Sequence, residues 1–275
     1  MTQRRPAIRV ELTPDGPRTT RRPDTLAVEE PLEIRVAGTS VTVTMRTPGD
    51  DFDLTLGNLL TEGVLRSADD VVQLMHCLDE DESGSPTYNV VDVTLAPGVV
   101  ADLDRSARSG YQSSACGVCG KTSVDAITAT SPYAVAHDPV RLSPTVVAGM
   151  PDTLRSEQKV FDRTGGLHAA GIFTADGEAL VVREDVGRHN AVDKVVGWAA
   201  REGRLPLAGQ VLVVSGRASF ELVQKAVMAG LPALVAVSAP SSLAAALAEQ
   251  SGLTLVGFAR SPRMTVYAGG QRLGL

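Results

Sequence analysis

Between Gly171 and Ala268 the sequence alternates short apolar runs with longer amphipathic ones, and this alternation limits the fold more than any other feature. GIFTADGEALVVRE reads as strand, AVDKVVGWAAREG as helix, VLVVS as strand, FELVQKAVMAG as helix, ALVAVS as strand and SLAAALAEQSG as helix, with TLVGFA and MTVYA as closing strands. A parallel neighbour cannot be reached by a tight turn, so the chain must cross over the sheet, usually through a helix. Such crossovers are right-handed and leave helices packed on the sheet. The expectation is a mostly parallel, helix-covered sheet: an α/β domain over residues 122–275.

The first hundred residues have a different texture. LEIRV (Leu32 to Val36) and VTVTM (Val41 to Met45) alternate apolar and polar residues around AGTS, the pattern of a β-hairpin. From Phe52 to Leu65, the residues Leu54, Leu56, Leu59, Leu60 and Val64 fall close to helical spacing, with Asp50 or Asp51 placed to cap the start. VVQLMHCL (Val71 to Leu78) and YNVVDVTL (Tyr88 to Leu95) read as two further strands around the acidic turn DEDESGSP. The result is a ββαββ unit, an N-terminal α+β subdomain over residues 26–104. Ahead of it, residues 1 to about 25 carry Arg4, Arg5, Arg18, Arg21 and Arg22 among Pro and Thr, and read as a loosely attached leader. Behind it, ADLDRSARSGYQSSACGVCGK has no sustained period, so residues 105–121 read as a mobile loop. Long loops inside compact proteins are usually functional or disordered.

Composition narrows the function. With 275 residues, 43% of them hydrophobic and 21% charged, the chain can build large cores without disulfides or metals. Its 26 Lys+Arg against 32 Asp+Glu give a net charge of -6, which offers no bulk positive field to nucleic acid or an anionic membrane. No uncharged apolar stretch approaches the roughly 18 residues of a membrane helix, and MTQRRPAIRVELTPDG lacks the apolar centre of a secretion signal. A cytoplasmic location is expected. Three cysteines are few for a disulfide scaffold and point to reactive or buried thiols.

Two of those cysteines, Cys116 and Cys119, form a C-x-x-C among glycines, which brings two sulfurs within reach of each other on a flexible backbone. A thiolate attacks electrophilic sulfur, and Lys121, Arg105 and Arg108 could favour that ionised form, as could helix amides if a helix opens at Lys121. A structural zinc needs four ligands, and the sequence adds only Cys77 and four scattered histidines. A dithiol redox pair is a second reading of the same spacing. Zinc-dependent deamination is disfavoured, because no H-x-E precedes the pair and His168 is followed by Ala169 and Ala170.

Further candidates lie where strands give way to helices. Arg183 to Lys194, REDVGRHNAVDK, packs eight polar residues into twelve positions at the carboxyl end of a strand, where open α/β sheets bind ligands. A site explains this density better than a solvated turn. Just before it, the small residues of GGLHAAG allow close backbone approach. Ser215 to Ser219 and Ser238 to Ser242 repeat the strand-to-helix geometry; their amides and hydroxyls suit an anion, and Arg217 adds a planar fork for phosphate. Simple helix capping is the commoner use of serine at each turn taken alone, but together at one sheet edge they suggest a phosphate-bearing ligand. Phe258-Ala259-Arg260-Ser261-Pro262-Arg263 offers an aromatic face and two arginines, or merely a β-turn with exposed arginines.

Taken together, SSACGVCGK, GGLHAAGIF, REDVGRHNAVDKVVG, SGRASFELVQKA, VSAPSSLA and LVGFARSPRMTVY resemble the FdhD/NarQ family of formate dehydrogenase accessory proteins, and they run in that family's order from about residue 113 to 267. The resemblance implies a cytoplasmic sulfurtransferase. In that role Cys116 accepts persulfide sulfur from a cysteine desulfurase and passes it to the bis(molybdopterin guanine dinucleotide) molybdenum cofactor, with Cys119 assisting, before insertion into apo formate dehydrogenase. It also implies that Phe258, Ala259, Arg260, Ser261, Pro262 and Arg263 hold the cofactor; the turns read above add His189 and Arg217 as further binding candidates. By the same resemblance the C-terminal domain is a cytidine-deaminase-like three-layer α/β domain without a metal site, and the chain forms a homodimer. Ala115 departs from the serine that relatives commonly carry before the first cysteine. A non-catalytic molybdenum-cofactor chaperone and a dithiol oxidoreductase remain the rival readings.

Overall fold

A computed structural model describes residues 1–77, 87–103 and 131–275 of the chain. The N-terminal residues are not a loose leader. β1 (Thr2–Thr13) and β2 (Gly16–Ala27) form an antiparallel ladder along the full 12 residues of each strand. Ile8, Val10 and Leu12 alternate with Arg9 and Glu11, which is strand periodicity, and Pro14-Asp15-Gly16 supplies the turn. Gly16 takes a φ of 110 that favours glycine, and the Thr13 hydroxyl donates to its carbonyl at 2.8 Å.

The expected ββαββ unit follows. β3 (Glu30–Val36), β4 (Thr39–Arg46), β5 (Val71–Cys77) and β6 (Val90–Leu95) form a sheet in the order β4-β3-β6-β5, and α1 (Asp51–Thr61) covers one face. Leu32, Ile34, Val91 and Val93 on the strands meet Leu54 and Leu59 on the helix, all six fully buried. Asp50 occupies the N-cap but makes no side-chain cap bond. Asp51 is occupied elsewhere, held through both its oxygens by the buried Arg46 guanidinium at 3.0 Å. The acidic turn falls outside the described residues.

The larger unit contains α2 (Pro144–Ser156), α3 (Phe161–Thr164), β7 (His168–Phe173), β8 (Ala179–Asp185), α4 (Arg188–Arg201), β9 (Val211–Val214), α5 (Phe220–Met228), β10 (Ala233–Ala236), α6 (Ser242–Ser251), β11 (Thr254–Arg260) and β12 (Arg263–Ala268). Its sheet runs β12-β11-β10-β9-β7-β8. Here the expectation of a mostly parallel sheet needs correction, because only β9 with β10 and β10 with β11 pair in parallel. GIFTADGEALVVRE is two strands rather than one, folded into the β7–β8 hairpin, and β11–β12 forms a second hairpin at the opposite edge. Crossovers occur only where a helix intervenes, and tight turns reverse the chain at both ends. β7 opposes both β8 and β9, so β8, β9, β10 and β11 still point the same way. Residues of α4, α5 and α6 pack on one sheet face through Val192, Val223 and Leu247, and α2 covers the other through Val147, Met150 and Leu154.

One helix joins the two units. Within α4, Asn190 to Gly197, Ala199 and Ala200 are all buried, so it has almost no solvent face. It packs on the sheet behind it and crosses α1 in front. At the crossing the two backbones touch: a Cβ on Gly57 would overlap the Asp193 carbonyl, and one on Gly197 would overlap the Asp53 carbonyl. Side chains too large for this gap are excluded, which is why both positions are glycine.

Candidate functional site

Because β8, β9, β10 and β11 share a direction, their carboxyl ends open onto one edge, where the start of β7 and the β11–β12 turn also lie. Backbone bonds join the turns side by side. Ser215 N–H donates to Ala169 O at 3.0 Å, Ser238 N–H to Gly216 O at 3.2 Å, Ser241 N–H to Ala218 O at 3.0 Å and Phe258 N–H to Ser238 O at 3.2 Å. The turn residues singled out from the sequence thus form one continuous rim.

At the β11 end the rim becomes a groove of about 750 Å³ lined by Phe258, Arg260, Pro262, Arg263 and Val237. The ladder between β11 and β12 is irregular between Gly257 and Arg260, and Phe258 sits at a φ of 51, an uncommon conformation for an aromatic residue. This kink turns the Phe258 ring outward, leaving it 51% exposed, while the neighbouring Ala259 is fully buried in the core. Gly257 is packed so closely against Pro240 and the Ser238 carbonyl that no side chain fits there. Arg260, Ser261, Pro262 and Arg263 are all exposed, with Arg260 and Arg263 paired across the hairpin end. Of the six residues in this stretch, five present side chains to the surface and Ala259 does not.

Further along the rim stands a histidine cluster. His189, in the first turn of α4, lies 3.4 Å from Ser219 Oγ and 3.8 Å from Glu221 Oε2, both through Nε2. The hydrogen bond with His189, opposed by partial burial, takes the Glu221 carboxyl down to about 2. His168 lies beside Gly216, and burial, reinforced by the positive charge of Arg188 and by His189, lowers its pKa from the usual histidine value. Arg188 Nε is buried and makes no hydrogen bond. Arg217 projects into solvent from the turn between the cluster and the groove. The two serine-bearing turns also differ: Ser241 Oγ caps α6 by accepting from Ala244 N–H at 3.2 Å, whereas Ser219 makes no such cap and faces His189. Glu221 went unremarked as a site residue in the sequence. The available signal was a serine followed two positions later by a glutamate, which reads as ordinary helix initiation.

The polar run from Arg183 to Lys194 divides in a way that neither a ligand site nor a solvated turn describes. Lys194 Nζ lies 2.8 Å from Asp185 and donates to Thr47 O at 2.9 Å. Asp185 accepts from the N–H groups of Thr47 and Gly187, and Asn190 donates to Met45 O at 2.8 Å. Asp193 turns the other way, accepting from Thr61 at 2.7 Å and Asn58 at 3.2 Å, and pairing with Lys225 at 2.9 Å. Burial alone would push Lys225 down, but the carboxylates of Asp193 and Glu62 outweigh it and hold the ammonium above its usual range. Burial is the largest influence on Asp193 and raises its carboxyl above the usual range, opposed by the Lys225 ammonium and the Thr61 hydroxyl. Asp185, Asn190, Asp193 and Lys194 therefore fasten the N-terminal unit to the sheet, and only Arg188 and His189 reach the rim.

A model of the FdhD/NarQ family matches residues 27–274. The chain belongs to the FdhD/NarQ family. Among FdhD relatives, the sulfur carrier protein FdhD of Streptomyces avermitilis is 57% identical over 276 residues, covering 100% of this chain and 96% of its own. Its namesake in Mycobacterium tuberculosis is 57% identical over 255 residues, covering 92% of each. A solved structure provisionally described as a formate dehydrogenase accessory protein, from Desulfotalea psychrophila, superposes with a TM-score of 0.73 at 23% identity, covering 98% of this chain and 99% of its own. That likeness shows a shared fold. Cys116, Cys119, Lys121, Arg105 and Arg108 lie outside the described residues. Among the described residues no group of three or more His, Cys, Asp and Glu is arranged to hold a metal ion, and no helix is long and apolar enough to cross a membrane.

Proposed function

We propose that this chain is a sulfur carrier for formate dehydrogenase, holding a persulfide on Cys116 and passing its sulfur to the molybdenum of a bis(molybdopterin guanine dinucleotide) substrate. The observation that carries this reading is the basic, aromatic groove of Phe258, Arg260, Pro262 and Arg263 at a sheet edge, in a chain whose close relatives are named sulfur carrier proteins. An exposed ring on a kinked strand suits a stacked guanine, and two unpaired guanidinium groups suit a pyrophosphate. From the groove at the β11 end to Ser219 after β9, which faces His189, the rim crosses two strand spacings, about 10 Å, a span suited to a cargo with more than one phosphate. In this reading Arg217 and His189 hold the parts of the cargo that extend beyond the groove. Cys119 assists at the thiol, a cysteine desulfurase is the sulfur donor, apo formate dehydrogenase is the recipient, and the exchange takes place in the cytoplasm. The helix-covered sheet serves as a cytidine-deaminase-like frame whose edge grips nucleotide ends.

Incubation with a cysteine desulfurase and cysteine, followed by intact-protein mass spectrometry, tests the proposal. A reducible gain of one sulfur mapping to Cys116 is expected. If Cys116→Ala still matures formate dehydrogenase fully, the chain is a cofactor chaperone instead. Equal damage from Cys119→Ala and Cys116→Ala, with no sulfur gained, points to dithiol redox chemistry.

A further inference from the structure

Thr47 stands in the link between β4 and α1, 2% exposed, and its three polar groups all bond across the seam. Its N–H donates to Asp185 Oδ2 at 3.1 Å, its hydroxyl accepts from Val186 N–H at 3.2 Å and its carbonyl accepts from Lys194 Nζ at 2.9 Å. Asp185 carries the hold one step further. Its Oδ1 accepts from Gly187 N–H at 2.8 Å and from Asn190 Nδ2 at 3.1 Å. Asn190 then closes back on β4, donating to Met45 O at 2.8 Å and accepting from the Thr44 hydroxyl at 3.1 Å. Residues on both sides of Arg188 and His189 are thus pinned to the end of one strand of the N-terminal unit, while these two side chains reach the rim. The seam does not need those bonds for strength alone. The glycine contact between α1 and α4 and the Asp193–Lys225 pair already lock the helix, whereas Thr47 acts on the turn ahead of it.

We propose that Thr47 is a positioning residue for the rim: its hydroxyl fixes the Asp185–Gly187 turn, and through that turn the direction in which Arg188 and His189 leave α4 to meet a phosphate of the cargo. The inference rests on the reading that His189 contacts the cargo, and adds that the N-terminal unit, which itself touches no cargo here, sets how well it does so. Binding a polyphosphate with mobile side chains loses affinity to their ordering, and a turn fixed in advance reduces that loss. Val186 N–H is the sensitive point. It lies two residues ahead of Arg188 and three ahead of His189, and its partner is a single side-chain oxygen supplied by the other unit. Without that oxygen the N–H is left unpaired inside the seam, and the turn must shift to find another acceptor or water. Such a shift carries the first turn of α4 with it.

The test compares two probes by titration calorimetry on the full chain: GDP, which the groove holds by itself, and a guanosine with a linear chain of four phosphates, whose added groups run along the rim towards His189. The wild type is expected to bind the longer probe about tenfold more tightly, the scale of one charge-assisted hydrogen bond. His189→Gln should erase that difference and leave GDP binding as it was. Thr47→Val keeps the side-chain shape and both backbone contacts but removes the hydroxyl. It is expected to cut the difference to about threefold or less with GDP affinity unchanged, and Thr47→Ser to restore it. If the two probes bind the wild type alike, or the difference survives His189→Gln, the cargo does not reach the cluster and the reading beneath the inference fails with it. A difference lost in His189→Gln but intact in Thr47→Val overturns the inference alone. So does an equal loss of both probes in Thr47→Val, which is the signature of a purely structural role.

Discussion

Individual side chains here divide between holding the molecule together and facing its rim. The Lys225 ammonium is the clearest fastener, bonded to Asp193, Glu62 and Thr61 with 3% of its side chain exposed. Lys225→Met would leave a buried carboxylate unpaired, and a loss of about 3–5 kcal/mol is expected by urea denaturation. A second change to Asp193→Leu should recover part of that loss, because it removes the orphaned charge as well. At the rim, Glu221 is held well below its ordinary 4.5, at about 2. A carboxyl whose folded pKa is depressed adds stability above its unfolded value, and that stability disappears as pH falls through the folded one. Glu221→Gln should therefore flatten the acid limb of the stability curve between about pH 4.5 and 2, while leaving its shape above pH 5 unchanged, as followed by thermal melts across the series. None of these partnerships was legible in the sequence. REDVGRHNAVDK announced a concentration of polar groups, but whether each faced a ligand, water or another unit depended on contacts from residues more than a hundred positions away, such as Thr47 and Asn58.

At the scale of elements the sequence was a better guide. Period-two alternation marked β3 and β4, and helical spacing marked α1, because each buries one face against one core. The strand-helix series from VLVVS onward was legible for the same reason. Strand direction was not: GIFTADGEALVVRE contains a turn at Thr174–Gly177, and reading through it hid the β7–β8 hairpin that makes the sheet mixed. β1 and β2 were hidden differently. Their Ile8, Val10 and Leu12 side chains are exposed among the described residues, so charge and proline dominate the composition and mask the alternation. The α1–α4 crossing is an element-scale property that a single methyl group can probe. Gly197→Ala or Gly57→Ala must push backbone from backbone, since the clash is with the Asp53 or Asp193 carbonyl rather than with a flexible side chain. We expect each to cost about 1–3 kcal/mol or more in denaturant midpoint, against a few tenths of a kcal/mol for a helical alanine substitution at an exposed site.

Taken whole, the body of the molecule is a four-stranded and a six-stranded sheet sharing one helix, with the β1–β2 ribbon beside them. α4 contributes Val192 and Val195 to the larger core and Ala200 to the smaller, so neither unit is complete without it. Residues 131–275 expressed alone would expose that helix's α1-facing side and leave Asp193 and Lys225 without Asn58 and Thr61. Calorimetry is expected to show a single transition for the full chain and no cooperative transition for the fragment. Seam and core are both set by long-range pairing, which is why a sequence that displays each unit's texture does not disclose how tightly they are joined.

The glycine contact between α1 and α4 also bears on motion. Two backbones pressed together with no side chains between them cannot slide or tilt without steric collision, so a hinge at that point is ruled out. Any widening of the rim to admit or release a bulky passenger must therefore come from its turns flexing against a stationary chassis.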